Sequence, residues 1–260
     1  MSNTCIHPVQ QIWPARDGLA GGSAEHMALG ALRHEIDQLD DQLLTLFERR
    51  LALATRVGSA KDAPAGAHLK LRPDREGAVL DRMLARAQPD NRQAVASLWR
   101  QIVGWGLARQ GRLQVQVWAP VEPAKAFDAA RLRFGDAADL RMMRDPAAAL
   151  AWAATGAGVA VLAVNGDQPW WIGLRREWSA LSVFEGFGGA TPTALAVGRI
   201  DPAALPAGPR VIVDAGGDAG DGGGASRRGL AVHHGWSLSL TDARLTIGGA
   251  EGCVGAVSAS

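Results

Sequence analysis

Two cationic residues, Arg50 and Lys61, lie on the apolar side of the first long helical pattern in the chain. Arg50 takes a position of the apolar stripe, and Lys61 returns to nearly the same side of the helix eleven residues later. Cations on a buried face are costly to hold without a partner, so we predict a pocket that binds an anion. The apolar stripe recurs at alternating steps of three and four and consists of Leu29, Leu32, Ile36, Leu39, Leu43, Leu46, Leu53 and Val57.

A third cation, Arg33, lies 17 residues before Arg50 on the same predicted helix. At the rise of an α-helix, about 25 Å separates the two along the axis, and no small ligand spans that distance. If both arginines act on one ligand, they come from two chains, and an intertwined homodimer then carries two identical sites. Arg50 and Lys61, about 16 Å apart on one face, can bracket an anion from a single chain.

Three helices and an α/β region are predicted to position these residues. After a disordered tail (residues 1–27), the helical patterns cover about 28–60, 73–87 and 91–110. Short apolar runs then alternate with alanine-rich helical stretches, which is typical of an α/β domain. We therefore predict an α plus α/β fold, with an all-α domain over 28–111 and an α/β accessory domain over 112–260. The predicted strands are 113–118, 159–164, 181–184, 194–197 and 211–213, and the predicted helices between them are 124–134 and 146–154.

The third helical pattern carries its own signals. Asp90 is placed as its N-cap, and Gln93 is placed to reach back as the second member of a capping box. Gly104 and Gly106 weaken its last turns by about 1 kcal/mol each relative to alanine. We therefore expect a packing or ligand reason for both glycines.

Composition excludes several classes of function. The net charge of +1 gives no reason to expect nucleic acid or a membrane surface as a partner. Cys5 and Cys253 have no metal or redox spacing, and His233-His234 lacks a third ligand, so neither a metal nor a cofactor is predicted. The glycine-rich stretch 216–224 lacks the ending of a phosphate loop and is interpreted as a linker. With neither a signal peptide nor a membrane span in view, we expect a cytoplasmic protein.

Several short motifs follow one another at a specific spacing between residues 29 and 110, close to a third of the chain. They are Leu32-Arg33, Ile36-Asp37, Leu39-Asp40, Glu48-Arg49-Arg50, Val57-Gly58, Lys61, Arg75-Glu76 and Gln110. In order and spacing this region resembles the all-α chorismate mutases. The resemblance implies an intertwined three-helix dimer that rearranges chorismate, a dicarboxylate, to prephenate in the biosynthesis of phenylalanine and tyrosine.

The resemblance also implies a role for each matching residue. Arg33 would reach into the partner's site and bind a carboxylate, and Arg50 would bind a carboxylate within its own subunit. Lys61 and Gln110 would donate hydrogen bonds to the ether oxygen whose bond breaks. Glu76 would accept a hydrogen bond from the ring hydroxyl of the substrate.

Three further positions bear on this pocket. By the same resemblance, Arg75 would support the hydroxyl end of the pocket. Arg72 stands where the family often has an acidic residue, and Gly106 stands where a small hydroxyl residue is usual. A lost hydrogen bond to a charged carboxylate costs about 1.5–3 kcal/mol, so we expect weaker substrate binding and retained chemistry.

The implied reaction accounts for these residue types. A [3,3] rearrangement requires a compressed substrate and donors aimed at the oxygen that gains charge, with no nucleophile, metal or general base. Each such donor contributes about 3–4 kcal/mol by analogy with oxyanion holes. Two donors and correct orientation therefore reach the roughly 8 kcal/mol of a modest enzymatic acceleration.

Two alternatives stay open at this point. An isochorismate-pyruvate lyase would share the helical dimer and the cationic pocket, whereas a non-catalytic sensor would bind a metabolite without turnover. The region after residue 112 has a faint resemblance to a degenerate prephenate dehydratase and regulatory domain. Thr193-Ala194-Leu195 lies where a dehydratase would carry Thr-Arg-Phe, so the arginine and the aromatic residue are missing. Dimer support, sensing of an amino-acid effector and docking of a partner enzyme are its candidate roles.

Overall fold

The computed structural model describes residues 22–60, 69, 71–111, 113–215, 227–242, 245 and 252–258. Within these ranges the α-helices are α1 (Gly22–Ala60), α2 (Pro73–Arg86), α3 (Arg92–Gln110), α4 (Pro123–Phe134) and α5 (Pro146–Ala154). The strands are β1 (Gln114–Trp118), β2 (Asp139–Met142), β3 (Gly158–Ala163), β4 (Ser182–Phe187), β5 (Ala194–Gly198), β6 (Arg210–Ala215), β7 (Arg227–His233), β8 (Trp236–Thr241) and β9 (Cys253–Ala256). Short 3₁₀ turns cover Pro89–Asn91, Trp170–Arg175 and Pro202–Ala204.

The three helices predicted from periodicity are present, with differences at their starts. Helix α1 begins at Gly22, inside the segment assigned to the tail, while residues 1–21 lie outside the described ranges. The capping box predicted for α3 is wrong, because Asn91 is the N-cap and its side chain makes no capping hydrogen bond. Pro89 starts a 3₁₀ turn in which the Asn91 amide donates to the Gln88 carbonyl at 3.0 Å. Asp90 therefore belongs to this turn and not to the N-cap position of α3.

The strands form one mixed sheet in the order β2-β1-β3-β5-β4-β9-β6-β8-β7. Strands β2, β1 and β3 are parallel and are connected through α4 and α5, while β5 pairs antiparallel to β3. All residues of β3 and β5 are buried, as expected for strands that read as continuous apolar runs. Burial of each Val or Leu side chain stabilises the fold by about 1.5–3 kcal/mol. These two fully buried strands therefore lie in the hydrophobic core. The predicted α/β pattern is confirmed.

The chain divides into two compact units, and the boundary between them lies within α1. One unit ends at Glu48, and the second begins at Arg49 and includes the last turns of α1, the other helices and the sheet. The boundary at residues 111–113 therefore stays a prediction. No described helix is both long enough and apolar enough to cross a membrane.

Helices α3 and α4 approach each other closely at Gly104. A Cβ atom at this position would lie 2.5 Å from the carbonyl oxygen of Phe134, at the end of α4. The backbone amide of Asp136 donates to Oε1 of Gln101 at 3.0 Å, one turn earlier on α3. Packing therefore explains the glycine at position 104, because any side chain there would push α4 away from α3.

Candidate functional site

A pocket of about 410 Å³ lies among the last turns of α1, helix α2 and helix α3. Residues from three segments distant in sequence line it, because the three helices pack side by side. Its charged and polar side chains are those of Arg50, Arg72, Arg75, Glu76 and Gln110, and its apolar wall consists of Leu53, Ala54, Val57, Val79, Trp99, Val103, Gly106 and Leu107. Three cations and one carboxylate give this pocket a positive charge.

Arg50 is the partly buried cation of the pocket. Its Nη1 atom donates to the carbonyl oxygen of Ile102 at 2.9 Å, and its guanidinium lies 5.0 Å from the centroid of the Trp99 ring. Burial lowers the pKa of Arg50, and no carboxylate among the described residues pairs with it. A fixed, partly desolvated guanidinium without an acidic partner is suited to bind an anionic ligand.

Gly106 provides the space for Arg50. A Cβ atom at position 106 would lie 3.2 Å from Nη1 of Arg50 and 3.6 Å from Cβ of Ala54. Any larger residue would therefore press on the guanidinium. The second glycine that weakens α3 thus has a packing reason, since the Arg50 guanidinium lies against it.

Arg72 and Arg75 lie at the start of α2. The Arg72 guanidinium donates to both carboxylate oxygens of Asp74, at 2.9 and 2.6 Å. The hydrogen bond raises the pKa of Arg72 and lowers the pKa of Asp74. Arg75 is exposed at the pocket. Asp74 therefore anchors Arg72 at the rim, and the departure from the expected acidic residue adds a cation to the site.

Glu76 lines the pocket and forms an ion pair with Arg133, which lies outside the pocket lining. Its Oε2 atom lies 2.9 Å from Nη1 of Arg133, and Nε of the same arginine donates to Oε2 of Glu185 at 2.6 Å. All three side chains are 13–15% exposed. Burial lowers the pKa of Arg133, but the two carboxylates raise it by more, so the pKa lies above its ordinary value.

Gln110 closes the pocket at the end of α3. Its Nε2 atom donates to the Gly106 carbonyl at 3.3 Å, while its Oε1 is buried and accepts no hydrogen bond from the described residues. A Cβ atom at Gly58 would lie 3.0 Å from Cα of Gln110, so α1 and α3 are in close contact there. The amide of Gln110 is thus fixed in place with hydrogen-bonding capacity left for a ligand.

The structure brings together four of the residues predicted from the sequence: Arg50, Arg75, Glu76 and Gln110. Lys61 and the glycine-rich stretch 216–224 lie outside the described residues. Arg33 belongs to the unit that ends at Glu48, and its side chain is exposed. The assigned roles of these residues stay predictions.

Sequence reasoning missed two residues of this region. Trp99 lies eleven residues before Gln110, which places both on one face of α3, so its spacing was a usable signal. Its Nε1 atom is buried and has no hydrogen-bond partner among the described residues. Arg133 had no signal, because it lies 57 residues after Glu76 in a helix of the α/β region.

Comparison with protein families gives one match that covers the pocket. The chorismate mutase type II model matches residues 32–111, and the matched segment contains every residue that lines the pocket. The resemblance of the C-terminal region to a dehydratase is not supported by this match, which ends at residue 111. Neither the curated proteins nor the solved structures contain a significant match to the chain. Residues 32–111 are thus similar to a chorismate mutase type II domain, the domain of a family of isomerases that act on chorismate.

Proposed function

We propose that the pocket binds chorismate through Arg50 and its neighbouring arginines and performs the rearrangement to prephenate there. The observation that carries this proposal is Arg50 itself, a half-buried guanidinium with no acidic partner among the described residues. A dicarboxylate supplies the missing anion. Arg75, exposed at the rim, provides further positive charge for the second carboxylate, whereas the charge of Arg72 is paired with Asp74.

The chemistry then requires donors at the ether oxygen and an acceptor at the ring hydroxyl. Gln110 supports the first role, because its side chain lines the pocket and Nε2 has a second N–H besides the one donated to the Gly106 carbonyl. Lys61, outside the described residues, is proposed as the second donor. Glu76 supports the acceptor role, since its carboxylate lines the pocket. Two donors together lower the barrier by about 6–8 kcal/mol.

We further propose a cytoplasmic homodimer in which the apolar stripe of α1 packs against a second copy. Each of its eight residues, from Leu29 to Val57, is between 43% and 62% exposed in the single chain. A continuous exposed apolar face of this length marks an interaction surface. A second copy that covers it would bring Arg33 of the partner subunit to the pocket, as the family resemblance implies.

The direct test follows chorismate by its absorbance with the purified full-length chain and identifies the product. Formation of prephenate supports the proposal. Release of pyruvate from isochorismate, with chorismate left intact, would establish the lyase instead. Binding of chorismate without turnover would identify a metabolite sensor.

Sites shared between chains predict a rescue experiment. Arg33→Ala and Arg50→Ala homodimers should both be impaired, because each lacks one carboxylate-binding arginine in every site. Heterodimers formed by unfolding and refolding the mixture should contain one site with both arginines and one with neither. Activity of the mixture should therefore exceed that of either parent. Absence of rescue, in heterodimers verified by mass spectrometry, would contradict the shared site.

Gln110→Glu should make the activity depend on pH. Only the protonated carboxyl donates a hydrogen bond, so activity should rise toward acidic pH, and each pH unit above the pKa of that group should lower it about tenfold. The measurement is kcat against pH for this variant, the unaltered chain and Gln93→Glu, which places the same charge at an exposed position of α3. A flat profile for Gln110→Glu would remove this residue from the ether oxygen.

A further inference from the structure

We propose that Arg133, on α4 and outside the matched domain, is a positioning residue for the mutase site: it holds the carboxylate of Glu76 toward the substrate. The inference rests on the proposed function and extends it. It makes the α/β region a structural part of the site, where the sequence predicted an accessory domain.

The contact geometry supports this role. Arg133 lies between two carboxylates, with Nη1 at 2.9 Å from Oε2 of Glu76 and Nε at 2.6 Å from Oε2 of Glu185. Its planar fork of donors is hydrogen-bonded to Glu185 and meets Glu76 as an ion pair, in which Oε2 of Glu76 accepts no hydrogen bond from the described residues. Because the guanidinium engages Oε2 of Glu76, the second carboxylate oxygen is left to accept the hydrogen bond from a ring hydroxyl.

Arg133 does not line the 410 Å³ pocket but lines a second cavity of about 710 Å³, together with Glu185. Three residues, Glu76, Trp99 and Val103, line both cavities. Of these three, Glu76 forms an ion pair with Arg133. We therefore expect the Glu76 carboxylate to transmit an effect of Arg133 to a ligand in the mutase pocket.

The helix that carries Arg133 is fixed to the mutase helices. The close contact between Gly104 and the Phe134 carbonyl sets the distance between α3 and α4 directly beside Arg133. The hydrogen bond from the Asp136 amide to Gln101 fixes the following turn. A register shift in β4 between Val183 and Glu185 adjusts the strand next to the other carboxylate. The backbone beside Arg133 is thus held by α3, and its side chain is also bound to Glu185.

Charge gives the second reason. Two carboxylates at a mostly buried site repel each other, and the cation between them offsets this repulsion. Without Arg133, Glu76 would turn toward solvent or away from Glu185, and its acceptor oxygen would leave the position of the ring hydroxyl. A displacement of about 1 Å at a reacting site costs up to about a hundredfold in rate.

The test is a double-mutant cycle in the full-length chain, made of the unaltered protein, Glu76→Gln, Arg133→Met and the double variant. Arg133→Met should lower kcat/KM for chorismate about tenfold to a hundredfold. In the Glu76→Gln background the same substitution should have no further effect, because its target is gone. Arg131→Met, an exposed arginine on the same helix, is the matched control and should keep full activity.

Additive losses in the cycle would overturn the inference, since a merely structural role lowers activity whether or not Glu76 is present. Arg133→Lys keeps the positive charge without the planar guanidinium and should recover part of the activity. If circular dichroism shows that Arg133→Met does not fold, Arg133→Lys takes its place in the cycle. If the unaltered chain does not convert chorismate, the proposed function fails, and the cycle is read from the Kd of chorismate by calorimetry. Coupling in Kd then supports the positioning role, and additivity overturns it.

Discussion

Replacing Arg50 by alanine should lower kcat/KM for chorismate by about thirtyfold to several thousandfold. The guanidinium is the one partly buried cation that lines the pocket, fixed by the Ile102 carbonyl and the Trp99 ring. Its removal leaves a substrate carboxylate desolvated without its partner, which costs about 2–5 kcal/mol. Steady-state kinetics should show the loss in both kcat and KM, since a carboxylate contact is made in the ground state and in the transition state.

Arg49→Ala is the matched control for this prediction. Arg49 is the neighbouring residue of α1 and is exposed, so its loss removes the same charge without emptying the pocket. It should leave kcat/KM within about twofold of the unaltered chain, as is usual for surface substitutions. Equal losses of kcat/KM for the two variants would contradict the prediction, because they would show that overall positive charge, and not the Arg50 contact, favours substrate binding.

Lys61→Ala should lower kcat about a hundredfold or more. This prediction rests on the sequence alone, because Lys61 lies outside the described residues. The eleven-residue spacing from Arg50 predicts that Lys61 shares its side of the helical pattern, and the proposed role of Lys61 is to donate to the ether oxygen. Loss of one such donor costs about 2.7–4 kcal/mol in the transition state, and the ground state, with little charge on that oxygen, should lose much less.

The split between kcat and KM distinguishes this role from a general electrostatic one. Lys61→Ala should change KM far less than kcat, and Lys125→Ala, which removes an exposed lysine of α4, should change neither. An unaltered kcat would remove Lys61 from the site. A loss confined to KM would place Lys61 at a carboxylate instead.

Much of the pocket could be predicted from the sequence because it depends on helical geometry, which is local. The position of Arg50 follows from the periodicity of α1, whereas Glu76 and Gln110 were predicted from the resemblance of their motifs to the chorismate mutases. The stripe of α1 is visible for the same reason. The predicted N-cap of α3 was wrong, because Pro89 starts a 3₁₀ turn there. The free energies of such a turn and of a capping box differ little, so the sequence alone does not decide between them.

The glycines of α3 show where sequence reasoning ends. Their cost within a helix indicates that something approaches them, and the sequence does not tell what. The structure gives a different answer for each: the backbone of α4 at Gly104, and the Arg50 guanidinium at Gly106. Both partners lie far along the chain, and only the packing of helices determines which one arrives.

By itself, the sequence determined the three helices and the place of Arg50 on the apolar side of α1, because the spacing of side chains along one helix fixes which of them share a face. The tertiary structure alone decided that Arg133 lies against Glu76, that Asp74 anchors Arg72 beside the pocket, and how the nine strands of the described residues are ordered in the sheet. Glu76 and Arg133 are 57 residues apart, and no periodicity connects them. Their contact follows from a glycine small enough to let two helices meet, and such a contact exists only once the chain is folded.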